Sequence, residues 1–420
     1  MFNREWRTAA GAVKLFEYFN HHGVVNNIIR LDNTFPMAQI GRLKFSMGAT
    51  LFILTTLFFI FLVGIDLIIA YFTDYSFSWL GLLILVPFAI LFVLLQWAIS
   101  PWIVKRSAGI NEDTISAGQN NAFLMETVEK LCSDAGVPMP TLAIINNPEP
   151  NAFVFGRTMK STYLAVHDSL LRTMTKEEIQ SVLAHEVGHI KHKDHITMTV
   201  ISAIPLITYI TARIALSSIR GMRGGGKGKG QAVIIMLIVG AISYLIYLIT
   251  QILVLHLSRS REYYADYYSA TATRNPAGLQ SALVKLMTGL STSRDRDTPS
   301  GLRSFYAVDP VQADVDNRRY RERMSEYDLN SDGIIDEKEL DIAMEKESRN
   351  PWRRANELFS THPSIYKRVL MLRKMELDME AQGIAAGGTV RPMTPAEKPY
   401  IAGPSLMGGG EKNADAAWKD

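Results

Sequence analysis

A single cysteine in 420 residues, Cys132, excludes an intramolecular disulfide framework and a zinc knuckle built from several thiolates. It fits a reducing compartment. An excess of one charge is also missing. Forty-four basic against 41 acidic residues leave +3, too little to imply nucleic acid, and no basic, aromatic-lined groove pattern accompanies it. The opening MFNREWRTAAGAVKLF carries charges but no adjacent apolar core, so it does not read as a cleavable signal peptide. No internal repeat is found.

What is present is unevenly spread. The hydrophobic fraction is 48% and the mean hydropathy +0.06, and these averages blend two compositions. Much of 47–103 and 196–257 is nearly uncharged, while the remainder is richly charged. That division describes membrane spans attached to a soluble body.

Residues 1–45 form a polar, membrane-proximal leader. Residues 46–103 form a first transmembrane hairpin. Its runs GATLFILTTLFFIFLVGIDLIIAYF (48–72) and WLGLLILVPFAILFVLLQWAIS (79–100) are each long enough to cross a bilayer, and Asp66 is the only charge in the first. Residues 104–195 form a soluble segment with a helix ending at Gly136, strands at TLAIINN, NAFVFG and STYLAVH, and a TKEE capping box opening a second helix. A second hairpin occupies 196–258. Its first arm is interrupted by Pro205 and Arg213, so a shallow hairpin competes with a full crossing. Residues 259–380 are soluble and mostly helical, and 381–420 form a Gly- and Pro-rich tail expected to be disordered.

Eight basic residues near span ends (Arg42, Lys44, Lys105, Arg106, Lys191, Lys193, Arg259 and Arg261) set the catalytic side as cytoplasmic. Four more lie within 220–229, on the opposite side, and weigh against this.

Chemistry concentrates in SVLAHEVGHIKHKDH (181–195), which holds four of the nine histidines. His185 and His189 stand four apart, on one helical face, and both can point an imidazole nitrogen at one ion. Glu186 between them is placed to take a proton from a water that the ion activates. Zinc suits two imidazoles and a carboxylate. The pattern alone fits a solvated polar helix end equally well, so a further ligand is required. SRSREYYADYYSA supplies it after the last apolar run: Glu262 as third ligand, with Asp266, four residues on, able to accept a ligand histidine's free ring N–H. The competing reading is a solvated acidic pair beside Arg259 and Arg261. His192, Asp194 and His195 read as the helix emerging at the membrane surface.

HEVGHI, a membrane hairpin, SREYYADYYSA and FSTHPSIYKRVLMLRKM, in that order, resemble the HtpX group of membrane zinc metalloproteases, relatives of the type 1 CAAX prenyl proteases. The resemblance covers most of 47–380. It implies zinc on His185, His189 and Glu262, Glu186 as general base, and Asp266 behind the ligands. It also implies catalytic roles for His362, as an oxyanion donor, and Arg368, as a fork on the acidic groups behind the metal. THPS reads equally as a helix N-terminus. Asn151, Ala152 and Phe153 match an edge-strand element that would hold an extended peptide substrate; without the resemblance they read as an ordinary strand with a buried phenylalanine.

DLNSDGIIDEKE (328–339) fits a calcium-binding EF-hand loop. Asp328, Asn330, Asp332 and Asp336 take positions one, three, five and nine, Ile334 offers its carbonyl at seven, and Glu339 closes the loop at twelve. No partner loop is visible, so a structural clamp is expected rather than a sensor.

The fold expected is α+β and mainly helical: four transmembrane helices and a zincin-like (gluzincin) catalytic domain with a small edge sheet. The function expected is a zinc metalloendopeptidase of the bacterial inner membrane, with its catalytic domain in the cytoplasm. By resemblance it acts in membrane quality control, on misfolded or damaged membrane proteins. A CAAX-type prenyl protease and a non-catalytic, calcium-responsive membrane scaffold are the rivals. The oligomeric state is not legible.

Overall fold

The computed structural model describes residues 39–73, 79–221, 229–292, 342 and 360–381. The calcium loop at 328–339, residues 1–38 of the leader and the tail beyond 381 lie outside these residues.

Two long apolar helices come first, α1 (Gln39–Thr73) and α2 (Trp79–Ser107). Short helices α3 (Glu112–Gln119) and α4 (Ala122–Ala135) follow, the latter ending at Gly136 in the left-handed conformation that glycine adopts without penalty. Strands β1 (Thr141–Ile145), β2 (Ala152–Gly156) and β3 (Thr162–His167) form one sheet in the order β1-β3-β2. β1 runs parallel to β3 and β2 antiparallel to it, with Phe153 opposite Ala165. β2 is therefore a sheet edge.

After α5 (Asp168–Thr173) comes the helix that carries the two histidines, α6 (Lys176–Lys191). Its capping box is formed: Thr175 Oγ1 accepts from the Glu178 amide, and the Glu178 carboxylate accepts from the Thr175 amide at 2.8 Å. The same carboxylate is held by Lys285 at 2.8 Å, tying the start of α6 to α10 (Pro276–Thr292). Apolar residues of α6 (Ile179, Val182, Leu183, Val187 and Ile190) are fully covered by a core shared with α4, the sheet and α10. Cys132 lies in that core, where burial pushes its thiol up to about 11, so it serves as a small apolar side chain.

The third apolar segment begins at Asp194 and is two helices, α7 (Asp194–Ile201) and α8 (Ala203–Gly221). They break at Ser202 because Pro205 has no N–H to give the Ile201 carbonyl. The fourth segment departs further from the sequence reading. The span expected at 233–257 and the helix expected around Glu262 are one element, α9 (Lys229–Thr273), 45 residues long. At 1.5 Å per residue it reaches about 67 Å, roughly twice the bilayer core, so its C-terminal third projects beyond the membrane. The last described helix is α11 (Ile365–Ala381).

Among the described residues four candidate spans result: Phe45–Ile68, Val86–Ser107, Asp194–Ile219 and a stretch within Gly230–Thr273. The molecule is mainly helical with a small three-stranded sheet, in agreement with the sequence reading.

Candidate metal centre

Two helices deliver the metal-ligand candidates, and a glycine lets them meet. A Cβ on Gly188 would lie 3.0 Å from Tyr268 Cδ1 and 3.3 Å from Ala265 Cα. Only a hydrogen at this position permits α6 and α9 to approach so closely. Ser269 Oγ donates to the Ser181 carbonyl at 2.7 Å and fastens the same contact two turns away.

At this crossing His185 Nε2 and His189 Nε2 stand 3.2 Å apart. Glu262 Oε2 is 3.6 Å from the first and Glu262 Oε1 3.5 Å from the second. A tetrahedron of ~2.0–2.1 Å bonds has edges of about 3.3–3.4 Å, so this triangle is the right size for zinc. The rings are nearly perpendicular, 89° between planes. Both Nδ1 atoms already face carboxylates: Asp266 Oδ1 at 2.9 Å from His185 and Asp194 Oδ2 at 2.7 Å from His189. With the ring protons on Nδ1, two Nε2 lone pairs point at each other and at a carboxylate. That arrangement is repulsive without a cation between the three. The surrounding carboxylates favour positive charge at this point: burial opposes charge on His185, but its contacts with Asp266 and Glu262 outweigh burial and push its pKa up to about 10, so that a proton takes the place of the cation. The donor set fits a divalent metal.

Asp266 is fully buried and gripped by Arg368 through two hydrogen bonds, Nε to Oδ2 at 2.8 Å and Nη2 to Oδ1 at 2.7 Å. Arg368 Nη1 reaches Glu262 Oε2 at 3.3 Å. Burial works against the Arg368 charge, but the Asp266 carboxylate more than offsets it and keeps the guanidinium protonated. At 1% exposure Arg368 is out of a substrate's reach, so its place is behind the ligands rather than among the reacting groups. His362 lies on the segment before α11, with Nδ1 3.3 Å from Glu262 Oε2. Neither of its ring nitrogens has a hydrogen-bond partner among the described residues.

Glu186 is buried, and burial raises its carboxyl pKa, while His189 and His185 pull it back down. With His362 it lines a cavity of about 570 Å³. β2 forms one wall from Ala152 to Gly156. Asn151 is buried just before that strand, its carbonyl accepting from the His167 amide at 2.8 Å, and Phe153 is 6% exposed. The cavity also descends between the membrane helices, past Gln96, Ser202 and Gln251 to Tyr209 and Tyr247. From Glu262 to Tyr247 along α9 is about 22 Å.

Sequence reasoning did not assign Asp194 and Arg261 to this centre. Asp194 meets His189 as above, and its other carboxylate oxygen pairs with Arg261 Nη2. The signal was available: an aspartate five residues past the second histidine and an arginine directly before Glu262 are opposite charges beside membrane spans, where a charge needs a partner.

The family model described as Peptidase family M48 matches residues 118–376. The "Protease HtpX homolog" of Aeropyrum pernix is 30% identical over 295 residues, covering 68% of this chain and 84% of that protein. The same-named protein of Thermoanaerobacter pseudethanolicus is 30% identical over 330 residues, covering 76% and 94%. Among solved structures, that of S. mikatae Ste24p overlaps 89% of this chain and 78% of its own, at 15% identity and a TM-score of only 0.42. The sequence match takes in α6, α9 and His362 together, so the chain belongs to peptidase family M48 and is of the HtpX type.

Proposed function

We propose that this chain is a zinc-dependent endopeptidase of the bacterial inner membrane, acting from the cytoplasmic side on misfolded or damaged membrane proteins. The observation that carries the reading is the triangle of His185, His189 and Glu262, with both Nδ1 atoms turned to carboxylates. Zinc held there would supply a Lewis acid for the scissile carbonyl and a water of lowered pKa.

The chain's own residues account for the rest. Glu186, its carboxyl pKa raised by burial, is suited to take the proton of the attacking water and pass it to the departing amide nitrogen. His362, whose Nδ1 faces Glu262 while Nε2 has no hydrogen-bond partner among the described residues, can donate to the oxygen that becomes negative. The edge of β2 that lines the cavity can pair with an extended substrate backbone and present its carbonyl there. The arm of the cavity between the membrane helices supports a substrate that arrives from the bilayer, since its polar walls lie at a depth that soluble peptides do not reach.

The decisive measurement is metal analysis of the detergent-purified chain together with cleavage of a membrane-protein substrate by the wild type and Glu186→Gln. Expected are about one zinc per chain in both and cleavage only by the wild type. Absence of zinc in the wild type, or undiminished cleavage by Glu186→Gln, would overturn the mechanism. The side of the membrane is tested by placing a cysteine within 222–228 in a Cys132→Ala background and labelling intact cells; no labelling from outside would count against the orientation.

A further inference from the structure

The two histidines are backed by two different carboxylate–arginine pairs. Behind His185 stands Asp266 with Arg368, joining α9 to α11, all in the soluble body. Behind His189 stands Asp194 with Arg261, and these two residues come from the two arms of the second membrane hairpin. Asp194 and Arg261 are 6% and 3% exposed. Asp194 is a bridge: Oδ2 accepts from His189 Nδ1 at 2.7 Å, and Oδ1 takes Arg261.

The backbone is bent to make this contact. Had α6 continued, a residue five positions past His189 would sit about 140° round the helix from it and face away. Instead α6 stops at Lys191, and Lys193 adopts a left-handed conformation, φ 57° and ψ 35°. A residue with a Cβ adopts this conformation only at a cost, because the Cβ crowds the following carbonyl oxygen. The turn brings Asp194 back against the His189 ring and starts α7 in the same step. Arg261 immediately precedes Glu262 on α9, so the pair also fixes the height of α9 relative to the α6–α7 corner.

We propose that Asp194, held by Arg261, is the positioning residue for His189: it fixes the ring's tautomer and aim, and it couples the metal centre to the packing of the second membrane hairpin. The inference rests on the reading of His185, His189 and Glu262 as a metal centre. A carboxylate on the far nitrogen of a metal-binding histidine typically contributes about 10–100-fold to metal affinity. An ordinary structural ion pair would contribute nothing to affinity.

The test compares zinc affinity, by competition with a chelator, and the visible spectrum of the cobalt-substituted protein. Wild type, Asp194→Asn, Arg261→Lys and Glu178→Gln are used as full chains in detergent. Glu178→Gln is the control, because it breaks another ion pair, with the partly exposed Lys285, at the far end of the same helix. Asp194→Asn should lower zinc affinity about 10–100-fold and shift the cobalt bands. Arg261→Lys, which keeps the charge and is the gentler change, should lower affinity less and in the same sense. Glu178→Gln should lower the Tm with affinity and spectrum intact.

If Asp194→Asn and Arg261→Lys lose thermal stability like the control yet keep wild-type affinity and spectrum, the pair is only a staple and the proposal fails. Should Asp194→Asn not fold, the Arg261→Lys result decides alone. Wild-type protein that takes up no metal would sink the metal-centre reading itself, an outcome separate from equal affinities across the set.

Discussion

The two membrane hairpins are alike in hydropathy and opposite in use. In α2 only 6% of the apolar window is buried, and Leu91, Leu94 and Leu95 are more than half exposed. In the Asp194–Ile219 arm the figure is 39%. Within the first hairpin α1 packs on the second, with Leu54 in a core shared with Ile201, Ile204, Val254 and Leu257, whereas α2 turns its apolar surface outward and is tied to the rest at few points: Gln96 donates to the Thr199 carbonyl at 3.1 Å, and Trp97 Nε1 to the Arg157 carbonyl at 3.0 Å. The second hairpin is continuous with the metal centre, one arm starting at Asp194 and the other running through Glu262. A membrane helix can therefore be an anchor or an extension of an active site, and hydropathy does not distinguish the two. The polar residues at its end do.

This contrast can be broken at graded positions. The largest effect is expected from Glu262→Gln on the second hairpin, which removes a ligand: zinc content should fall below stoichiometric and cleavage should be lost, checked by metal analysis and a substrate assay. Next, Glu186→Gln should lower kcat by about 10²–10⁴-fold while zinc content stays constant. Gly188→Val puts a side chain where Tyr268 and Ala265 already stand. It should cost about 1–3 kcal/mol by a detergent thermal melt and reduce zinc affinity as well, because the same contact brings Glu262 to the histidines. Gln96→Leu removes a link between the hairpins and should cost about 0.5–2 kcal/mol with zinc affinity intact. The smallest effect belongs to Leu91→Ala on the lipid face, within about 0.5 kcal/mol and with no change in activity. If Leu91→Ala impaired cleavage, the description of α2 as an anchor would be wrong.

Parts of the site legible in the sequence were those whose geometry is local. His185 and His189 share a helical face at any tertiary arrangement, and so do Glu262 and Asp266, because a four-residue separation fixes the angle between them. The capping box at Thr175 was readable for the same reason. The merging of the fourth span with the Glu262 helix was not, since LHLSRSREYY changes from apolar to charged without a breaker, and a change of composition reads as a boundary even where the helix continues. Nor was Asp194, because nothing in HKDH announces a left-handed Lys193. Arg368 was named by its resemblance to a family pattern, but only the fold shows it sealed behind Asp266.

The sequence by itself determined the ingredients: membrane-length apolar runs, two histidines and a glutamate in one motif, a second acidic pair, and small residues such as Gly188 that permit close packing. These depend on residue type and on spacings within a few turns of helix. Tertiary structure alone decided that α6 and α9 cross at Gly188, that atoms of three candidate ligands converge within 3.2–3.6 Å, and that each histidine has its own carboxylate and arginine. The reason is distance along the chain. His189 and Glu262 are separated by a membrane hairpin, and a contact across such an interval is fixed by how whole helices pack, which no local spacing encodes.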